Sequence, residues 1–455
     1  MSILSMFKGI RLPTPPSPSP PRVLEPPDRV ILPLRQHQGG VCDPVVSPGD
    51  QVGLGQLVGT SEDFETADVH SSVSGTVEAL TETLDPAGQP VKAVVIKNDG
   101  RDAPPEGSGE RQVLQDPELI LKTRPTRLLK RLRSAGLVRA ATLGLPLHVD
   151  LSPPMAPRSY LYMTGIPVVR PVDTLVIKAV DPDPPVTPNQ AALAAEDSGR
   201  YLELGVLALA RIAGTKRVII AAAKGQVPAW LTELTAAREW ELTQVDGSHF
   251  PFALDNLLVH SLTGREVPTP YGEPRDVGVV MEPLVTALDV GRVLMEGGPM
   301  LERVFTVAGE VAGAQTFKVR LGTPLAKVLE AAGVSGNLGK VILGGPMMGY
   351  AQFDLNTPVT KETDGAFVQS SAKLAHFQNE PCIHCGRCVQ VCPVNLVPAE
   401  LGKLCEYGQF ETAAERDLMH CIECGCCAYV CPAKRPMVHL LRYGKSEVMA
   451  GRMEQ

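Results

Sequence analysis

Two copies of one cysteine pattern lie near the C-terminal end: Cys382-x2-Cys385-x2-Cys388-x3-Cys392-Pro393 and Cys421-x2-Cys424-x2-Cys427-x3-Cys431-Pro432. This spacing is typical of [4Fe–4S] clusters, and in two-cluster proteins the fourth cysteine of each run binds the other cluster. The pattern therefore predicts two cross-linked clusters. The first would be held by Cys382, Cys385, Cys388 and Cys431, and the second by Cys421, Cys424, Cys427 and Cys392.

Two other uses of these cysteines are disfavoured. Structural zinc sites use two cysteine pairs separated by a longer finger and have no use for a third cysteine two residues further on. A secreted disulfide scaffold is disfavoured because the eight motif cysteines crowd the last fifth of a long chain without a secretory signal. Of the other cysteines, Cys42 and Cys405 are interpreted as buried hydrophobic residues, whereas Cys426 lies inside a ligand loop and is an alternative ligand.

Length and charge limit the remaining possibilities. A chain of 455 residues is long enough for several domains. A net charge of −7 and a pI near 5.8 provide no basic surface of the kind that binds nucleic acid, so we expect no nucleic-acid partner. The longest apolar stretches are interrupted by Arg211 and by Lys216–Arg217, which predicts no membrane span.

The N-terminal half predicts an arm followed by a small β domain. Residues 1–28 are predicted to form a proline-rich arm, either a spacer or, through residues 1–12 as a short amphipathic piece, a docking element for another subunit. Short apolar runs separated by turn residues predict a sandwich barrel over residues 29–100. The barrel resembles the lipoyl/biotinyl fold, but the stretch from Ser61 to Val69 lacks the acceptor lysine, so no covalent lipoate or biotin is expected.

Alternating helical and strand patterns predict an α/β domain with buried parallel strands over residues 101–300. The expected elements are helices at Leu119–Ser134, Gln190–Ala213 and Pro228–Arg238, and strands at Thr174–Ile177, Arg217–Ala222 and Asp276–Met281. Residues 301–360 suit a β-grasp module with a helix at Leu325–Gly333. Residues 370–445 suit a helical ferredoxin domain, with helices at Pro398–Tyr407 and Gln409–Leu418 between the two motifs.

This order of domains, together with the Gly344–Gly349 segment, the phrase Pro358-Val359-Thr360-Lys361 and the second cysteine motif, resembles the RnfC family, whose members belong to the Rnf/Rsx electron-transport complex. The resemblance covers residues 30–445. It implies a multidomain fold: a lipoyl-like sandwich barrel, an α/β domain like the flavoprotein of respiratory complex I, a β-grasp module and a helical two-cluster ferredoxin domain. It also implies a peripheral subunit on the cytoplasmic face of the inner membrane, with other Rnf membrane and iron–sulfur subunits, ferredoxin or another redox protein as partners.

The NADH- and FMN-binding site implied by the resemblance is altered at three places. Its glycine-rich loop corresponds to residues 136–146, which keep Gly136, Gly144 and Pro146 but carry Arg139 where bare backbone is needed. Its acidic loop and its phosphate-side turn correspond to Asp181–Pro184 and Pro283–Thr286. We therefore expect a weakened or absent FMN and NADH site, with Arg139 as the one residue still suited to a phosphate.

Three functions remain open from the sequence. The favoured one is an electron-relay subunit of a membrane-bound Rnf-type complex that couples electron transfer to ion translocation, without a catalytic residue of its own. The second is an NADH-oxidising, FMN-containing subunit of the same complex. The third is a related soluble reductase module of the cobalamin or amino-acid reductase type. Basic residues after the last motif, Lys434, Arg435, Arg442 and Lys445, suggest contact with an acidic ferredoxin or an anionic membrane face.

Overall fold

The computed structural model describes residues 8–13, 19–107, 112–140, 144–152, 171–269, 272–334, 338–374 and 380–453. The strands are β1 (Ile10–Arg11), β2 (Arg22–Val23), β3 (Arg29–Pro33), β4 (Asp43–Pro44), β5 (Gln51–Val52), β6 (Leu57–Thr60), β7 (Val69–His70), β8 (Gly75–Leu84), β9 (Pro90–Asn98), β10 (Thr174–Ala179), β11 (Arg217–Ala223), β12 (Glu241–Val245), β13 (His249–Phe250), β14 (Val279–Pro283), β15 (Glu302–Gly309), β16 (Gln315–Arg320), β17 (Leu338–Leu343), β18 (Tyr350–Gln352) and β19 (Gly365–Ser370).

The helices are α1 (Pro117–Lys122), α2 (Pro125–Ser134), α3 (Leu147–Leu151), α4 (Pro188–Leu193), α5 (Ser198–Ala213), α6 (Ala229–Ala237), α7 (Asp255–Thr263), α8 (Leu284–Glu296), α9 (Leu325–Ala331), α10 (Arg387–Val391), α11 (Pro398–Glu406), α12 (Phe410–Glu415), α13 (Cys426–Tyr429) and α14 (Met437–Met453). Strands and helices are thus mixed along the chain, which gives the α/β architecture that the sequence predicts. After residue 380 the described residues form helices and no strand.

The N-terminal domain is a sandwich of two antiparallel sheets. One sheet has the order β3-β9-β8-β5 and the other the order β4-β6-β7. Inward-facing aliphatic residues such as Val30, Leu32, Val58 and Ile96 are fully buried between them. The alternation of apolar and polar residues that predicts a barrel thus corresponds to a core with one solvated face on each sheet.

A parallel sheet of order β12-β11-β10-β14 forms the centre of the next domain. Strands β10, β11 and β14 are buried on both faces: in β11, Ile220 packs into one core and Ile219 into the other. Such two-sided burial is the normal environment of a parallel sheet. Helices α5 and α8 cross closely on one face, where a Cβ on Gly205 would lie 1.9 Å from the carbonyl oxygen of Ala287.

A six-stranded sheet of order β18-β17-β19-β15-β16-β2 follows, with α9 packed on it. Strand β2 joins this sheet from the N-terminal arm by pairing Arg22 and Val23 with Phe317 and Lys318. Strand β19 ends at residue 370, so the sheet extends past the interval 301–360. The ferredoxin-like domain then contains the two cysteine motifs and helices α10 to α14.

The structure corrects three predicted elements. The helix expected at Leu119–Ser134 is split into α1 and α2, because Pro125 disfavours helical backbone at the residue before it. The helix expected at Gln190–Ala213 is split into α4 and α5, and the Ser198 hydroxyl binds the Ala192 carbonyl at the break. The strand expected at Asp276–Met281 begins only at Val279, after a 3-10 turn closed by Gly278 at φ 81°.

The N-terminal arm is not a free amphipathic piece over its described part. Residues 1–7 and 14–18 lie outside the described residues. Ile10 and Arg11 form β1, which pairs with Phe250 and His249 of β13 in the same chain. The docking element expected for another subunit is therefore wrong for residues 8–12, because Ile10 and Leu12 are buried within this chain.

Candidate metal centres and flavin pocket

The two cysteine motifs repeat the same backbone geometry at an offset of 39 residues. Left-handed backbone occurs at His384 and Glu423, with φ 55° at each, and at Gly386 and Gly425. A third matched pair, Asn395 and Lys434, has φ 59° and 47°. Each left-handed glycine directly precedes a short helix, α10 or α13. The repeat in sequence is thus a repeat in structure, in which each loop turns back before its helix.

The first cavity, of about 190 Å³, is lined by three cysteines of the first motif and the last cysteine of the second. These are Cys382, Cys385, Cys388 and Cys431. The second cavity is lined by Cys421, Cys424 and Cys427 together with Cys392 of the first motif. The structure therefore places the four cysteines predicted for each cluster around one cavity, and Cys426 is a fifth cysteine at the second cavity.

Within the described residues, no group of three or more His, Cys, Asp or Glu side chains is close enough to hold a single metal ion. The motif cysteines instead surround cavities, an arrangement that suits a ligand larger than one ion. A four-iron cluster is held by four thiolates around its exterior. The donor set at each cavity fits such a cluster.

Backbone N–H groups point at several cysteine sulfurs. Those of His384 and Glu423 lie 3.4 Å from the Sγ atoms of Cys382 and Cys421, and that of Leu396 lies 3.3 Å from Sγ of Cys392. Hydrogen bonds of this kind stabilise negative charge on a ligand sulfur and tune a bound cluster. The left-handed backbone at His384 and Glu423 directs the N–H groups of these two residues toward the sulfurs.

Burial works against ionisation of the protein's thiols when no iron is bound. It raises the pKa of Cys421 to about 11, although the Glu423 N–H and the Lys445 ammonium oppose the shift. Burial also raises the pKa of Cys427 above its usual range. Ligand thiols must lose their protons, so the positive charge of the iron has to supply the energy, and cluster binding is coupled to proton release.

The remaining cysteines fall into two groups. Cys42 and Cys405 are buried away from the two cavities; Cys42 donates to the Ala67 carbonyl, and Cys405 packs against Gly444. Cys426 lines the second cavity beside the predicted ligands and is fully buried. Among the flanking histidines only His384 lines a cavity, while His420 lies 3.3 Å from the Asp417 carboxylate and His439 is exposed.

The three altered segments of the expected flavin pocket lie together in the structure. The Ala140 N–H donates to the Thr286 hydroxyl at 2.9 Å. The Val285 N–H donates to the Asn189 side chain at 3.0 Å, and Asn189 donates to the buried Asp181 carboxylate. Residues 141–143 lie outside the described residues. Hydrogen bonds therefore join the described walls of the expected pocket, and a cavity of about 290 Å³ lies beside them, lined by Arg139, Asp150 and Asp255 among others.

Arg139, the residue expected to attract a phosphate, is balanced by acids. Its guanidinium lies 2.5 Å from Asp255, 3.8 Å from Asp150 and 3.7 Å from Glu282. Asp255 is also paired with Lys178. A phosphate placed here would meet three acidic side chains. The buried Nε–H of Arg139 has no hydrogen-bond partner, but it lies 3.8 Å from Asp150 and 3.7 Å from Glu282. The residues present do not fit the FMN phosphate.

The two glycines that this loop keeps, Gly136 and Gly144, contact the sandwich domain. Gly136 has φ 66°, and a Cβ on it would lie 2.1 Å from the Asp68 carbonyl oxygen and 2.5 Å from Nζ of Lys361. The Gly144 carbonyl accepts a hydrogen bond from the Gln38 N–H at 2.8 Å. Both glycines thus serve contacts between the loop and the sandwich.

Comparison with known proteins identifies the family. A model described as the RnfC barrel sandwich hybrid domain matches residues 7–101, and one described as a 4Fe–4S dicluster domain matches residues 381–434. The C subunit of the Na(+)-translocating ferredoxin:NAD(+) oxidoreductase complex of Acetobacterium woodii is 33% identical over 94% of this chain and 92% of its own length. The chain belongs to the RnfC family.

Further relatives agree with this assignment. The C subunit of the proton-translocating ferredoxin:NAD(+) oxidoreductase complex of Clostridium ljungdahlii is 33% identical over 92% of this chain and 88% of that protein. The C subunit of the ion-translocating oxidoreductase complex of Methanosarcina acetivorans is 32% identical over 93% of both chains. In the described part of this RnfC-family chain, no helix is long and apolar enough to cross a bilayer.

The basic residues after the last motif are largely paired in this RnfC-family member. Arg435 binds Glu406, and both Arg442 and Lys445 bind Glu423. Lys434 is exposed, and no ion pair to it is found among the described residues. The basic tail is therefore mostly an internal ion-pair network, and Lys434 lies outside that network.

The sequence does not indicate how the second motif contacts the rest of the molecule. Cys424 and Cys426 share a small apolar cluster with Ile10, Leu12 and Phe250. Met347 and Met348 pack against the same cluster. The available signal was the alternation of apolar residues at Ile10 and Leu12, which is typical of a strand with one buried face.

Proposed function

We propose that the chain is an electron-relay subunit of a membrane-bound Rnf-type complex that couples electron transfer to ion translocation. The observation that carries the proposal is that four cysteines line the first cavity and five line the second, with cysteines of both motifs at each. Cys382, Cys385, Cys388 and Cys431 would hold one [4Fe–4S] cluster, and Cys421, Cys424, Cys427 and Cys392 the other. Each bound cluster takes up and releases one electron at a time.

The protein's own residues would prepare these sites. The left-handed loops aim backbone N–H groups at the ligand sulfurs, and burial keeps water from the second cavity. Neither task needs a general acid or base, so we assign the chain no catalytic residue. Its place would be peripheral, on the cytoplasmic face of the inner membrane, beside other Rnf membrane and iron–sulfur subunits.

We further propose that this chain binds neither FMN nor NADH. The names of the Acetobacterium and Clostridium relatives assign ferredoxin and NAD(+) to their complexes. In this chain Arg139 is paired with acids, and the Ala140 N–H is bonded to Thr286. The nicotinamide reaction would then require another protein. The alternative, an FMN-containing NADH dehydrogenase, would require a phosphate to displace the Asp150 and Asp255 carboxylates from Arg139.

Anaerobic reconstitution with iron and sulfide tests the relay. We expect about eight iron atoms per chain, in line with two four-iron clusters, and dithionite-dependent signals of two interacting clusters in electron paramagnetic resonance spectra. About one zinc or a single cluster per chain would contradict the proposal. Co-purification with membrane subunits separates the Rnf role from that of a soluble reductase module.

A further inference from the structure

The two matched motifs differ sharply in exposure. All five residues of the first loop, Ile383–Arg387, are exposed, and the Ile383 side chain is 64% exposed. None of the five equivalent residues in the second loop, Ile422–Cys426, is exposed. Because the two loops share one backbone geometry, this difference comes from what packs on them.

The second loop is covered by other parts of the chain. Strand β1 contributes Ile10, the residue after it contributes the Leu12 side chain, the α/β domain contributes Phe250, and the loop before β18 contributes Met347. The Met347 methyl group lies 3.3 Å from the position of a Cβ on Gly425. Within the described ranges no comparable cover lies over Ile383–Arg387, so the first loop is open to solvent and to other proteins, whereas the second loop is largely covered by this chain.

The surface around the first cavity is apolar at its centre and positive at its rim. Ile383 and Val397 are exposed hydrophobic side chains that line the cavity. Arg387 and Lys434 are exposed at the rim and have no ion pair among the described residues. The two nearest acids on α11, Glu400 and Glu406, are already paired with Arg416 and Arg435.

Glu380 contributes one exposed negative charge just before the motif. Against Arg387 and Lys434 it leaves the surface with a net positive charge, whereas the whole chain has a net charge of −7. A local charge opposite to that of the molecule steers a partner of complementary charge to one orientation. Small apolar centres with charged rims are also the usual form of transient electron-transfer contacts.

We propose that this surface, which we call the port face and define as Ile383–Arg387, Val397 and Lys434, is the docking site for a redox protein with an acidic face around its own cofactor. The proposal rests on the relay function above and names the cluster at which electrons cross between proteins. In each encounter the partner's cofactor loses one electron and the first cluster gains it, or the reverse; no proton or group is transferred.

The test uses the full reconstituted chain and a small acidic ferredoxin as the probe. The double variant Arg387→Glu/Lys434→Glu reverses the charge of the port face. The matched control, Lys216→Glu/Lys224→Glu, reverses two exposed cations on the α/β domain. Binding of oxidised ferredoxin is measured by calorimetry, and reduction by ferredoxin is measured by stopped-flow absorbance, both at low and at high salt.

We expect the port-face variant to bind ferredoxin about tenfold or more weakly at low salt, with a matching fall in the rate of reduction. Basic cytochrome c should oxidise the reduced variant faster than it oxidises the native chain. Both differences should vanish at about 1 M salt, where charges are screened beyond roughly 3 Å. The control variant should match the native chain.

Equal ferredoxin affinity and rate in the native chain and the port-face variant would overturn the docking proposal. The end point of dithionite reduction is independent of docking and reports the clusters themselves. A native chain with no reducible clusters would overturn the relay function instead. Iron is counted in every variant; if charge reversal lowers it, the neutral pair Arg387→Gln/Lys434→Gln is measured by the same criteria.

Discussion

The backbone N–H of Ala140 lies 2.9 Å from the hydroxyl oxygen of Thr286 and donates a hydrogen bond to it. Ala140 belongs to the loop where the family resemblance implies a flavin phosphate, and Thr286 to the turn on the other side of that pocket. A phosphate is held by free backbone N–H groups. Here the Ala140 N–H is already bonded across the pocket, which supports the proposal that this chain binds no FMN.

Double cysteine variants test how the two motifs share their ligands. If Cys385 and Cys431 hold the same cluster, Cys385→Ala/Cys431→Ala should lose one cluster and keep about four iron atoms per chain. Cys385→Ala/Cys392→Ala should lose both clusters, because Cys392 lies at the other cavity. Iron and sulfide analysis after anaerobic reconstitution measures both. The reverse pattern would show that each motif binds its own cluster.

Strand β1 should protect the second cluster. Leu12 is 5% exposed and packs in the apolar group that contains Cys424. We expect Leu12→Asp to lower the free energy of unfolding by about 2–4 kcal/mol, because it buries an unpaired carboxylate. It should also speed the loss of the second cluster in air. Cluster absorbance after exposure to oxygen measures this. Val23→Asp, at a position 75% exposed, is the control; equal rates for both variants would contradict the role of β1.

Gly345→Ala should weaken the contact between the α/β domain and the loop beside the second motif. A Cβ on Gly345 would lie 2.0 Å from the Asp183 carboxyl carbon. Asp183 accepts hydrogen bonds from the N–H groups of Met347 and Met348 in this loop. We expect a loss of about 1–3 kcal/mol in the free energy of unfolding, measured by urea titration. Gly451→Ala, where a Cβ has open space, should change it little.

Because Lys361 is buried, we expect the free energy of unfolding to change with pH in the alkaline range. Burial lowers its pKa from 10.5 to about 8. Between these values the unfolded chain binds more protons than the folded chain, so this residue's contribution to stability rises with pH. From pH 8 to 10 the native chain should gain about 1–2 kcal/mol over Lys361→Met, as measured by urea titration. In the control Lys216→Met, at an exposed position, the free energy of unfolding should change with pH as it does in the native chain.

Much of the fold could be predicted because its signals are local. The strand Arg217–Ala223 is an apolar run, and the cysteine sets follow from spacing alone. The break before Pro125 was also readable from the proline. By contrast, the cover over Cys424 by Ile10, Phe250 and Met347 joins residues far apart in the sequence. No local pattern encodes such a contact.

The candidate flavin pocket likewise combines features that the local sequence shows with contacts between distant residues that it does not show. Loss of glycines near Arg139 was visible in the sequence, and it predicted a changed site. The contacts at this site, between Ala140 and Thr286 and between Arg139 and Asp255, depend on how separate loops meet. The sequence therefore predicts a weakened site but does not indicate this network of contacts.

The most direct test of the account is to reconstitute the chain anaerobically, measure its flavin, add NADH and follow the iron–sulfur absorbance before adding dithionite. We predict no bound flavin, no bleaching by NADH, and bleaching by dithionite. About one FMN per chain with bleaching by NADH would contradict the account and make the chain an NADH dehydrogenase subunit.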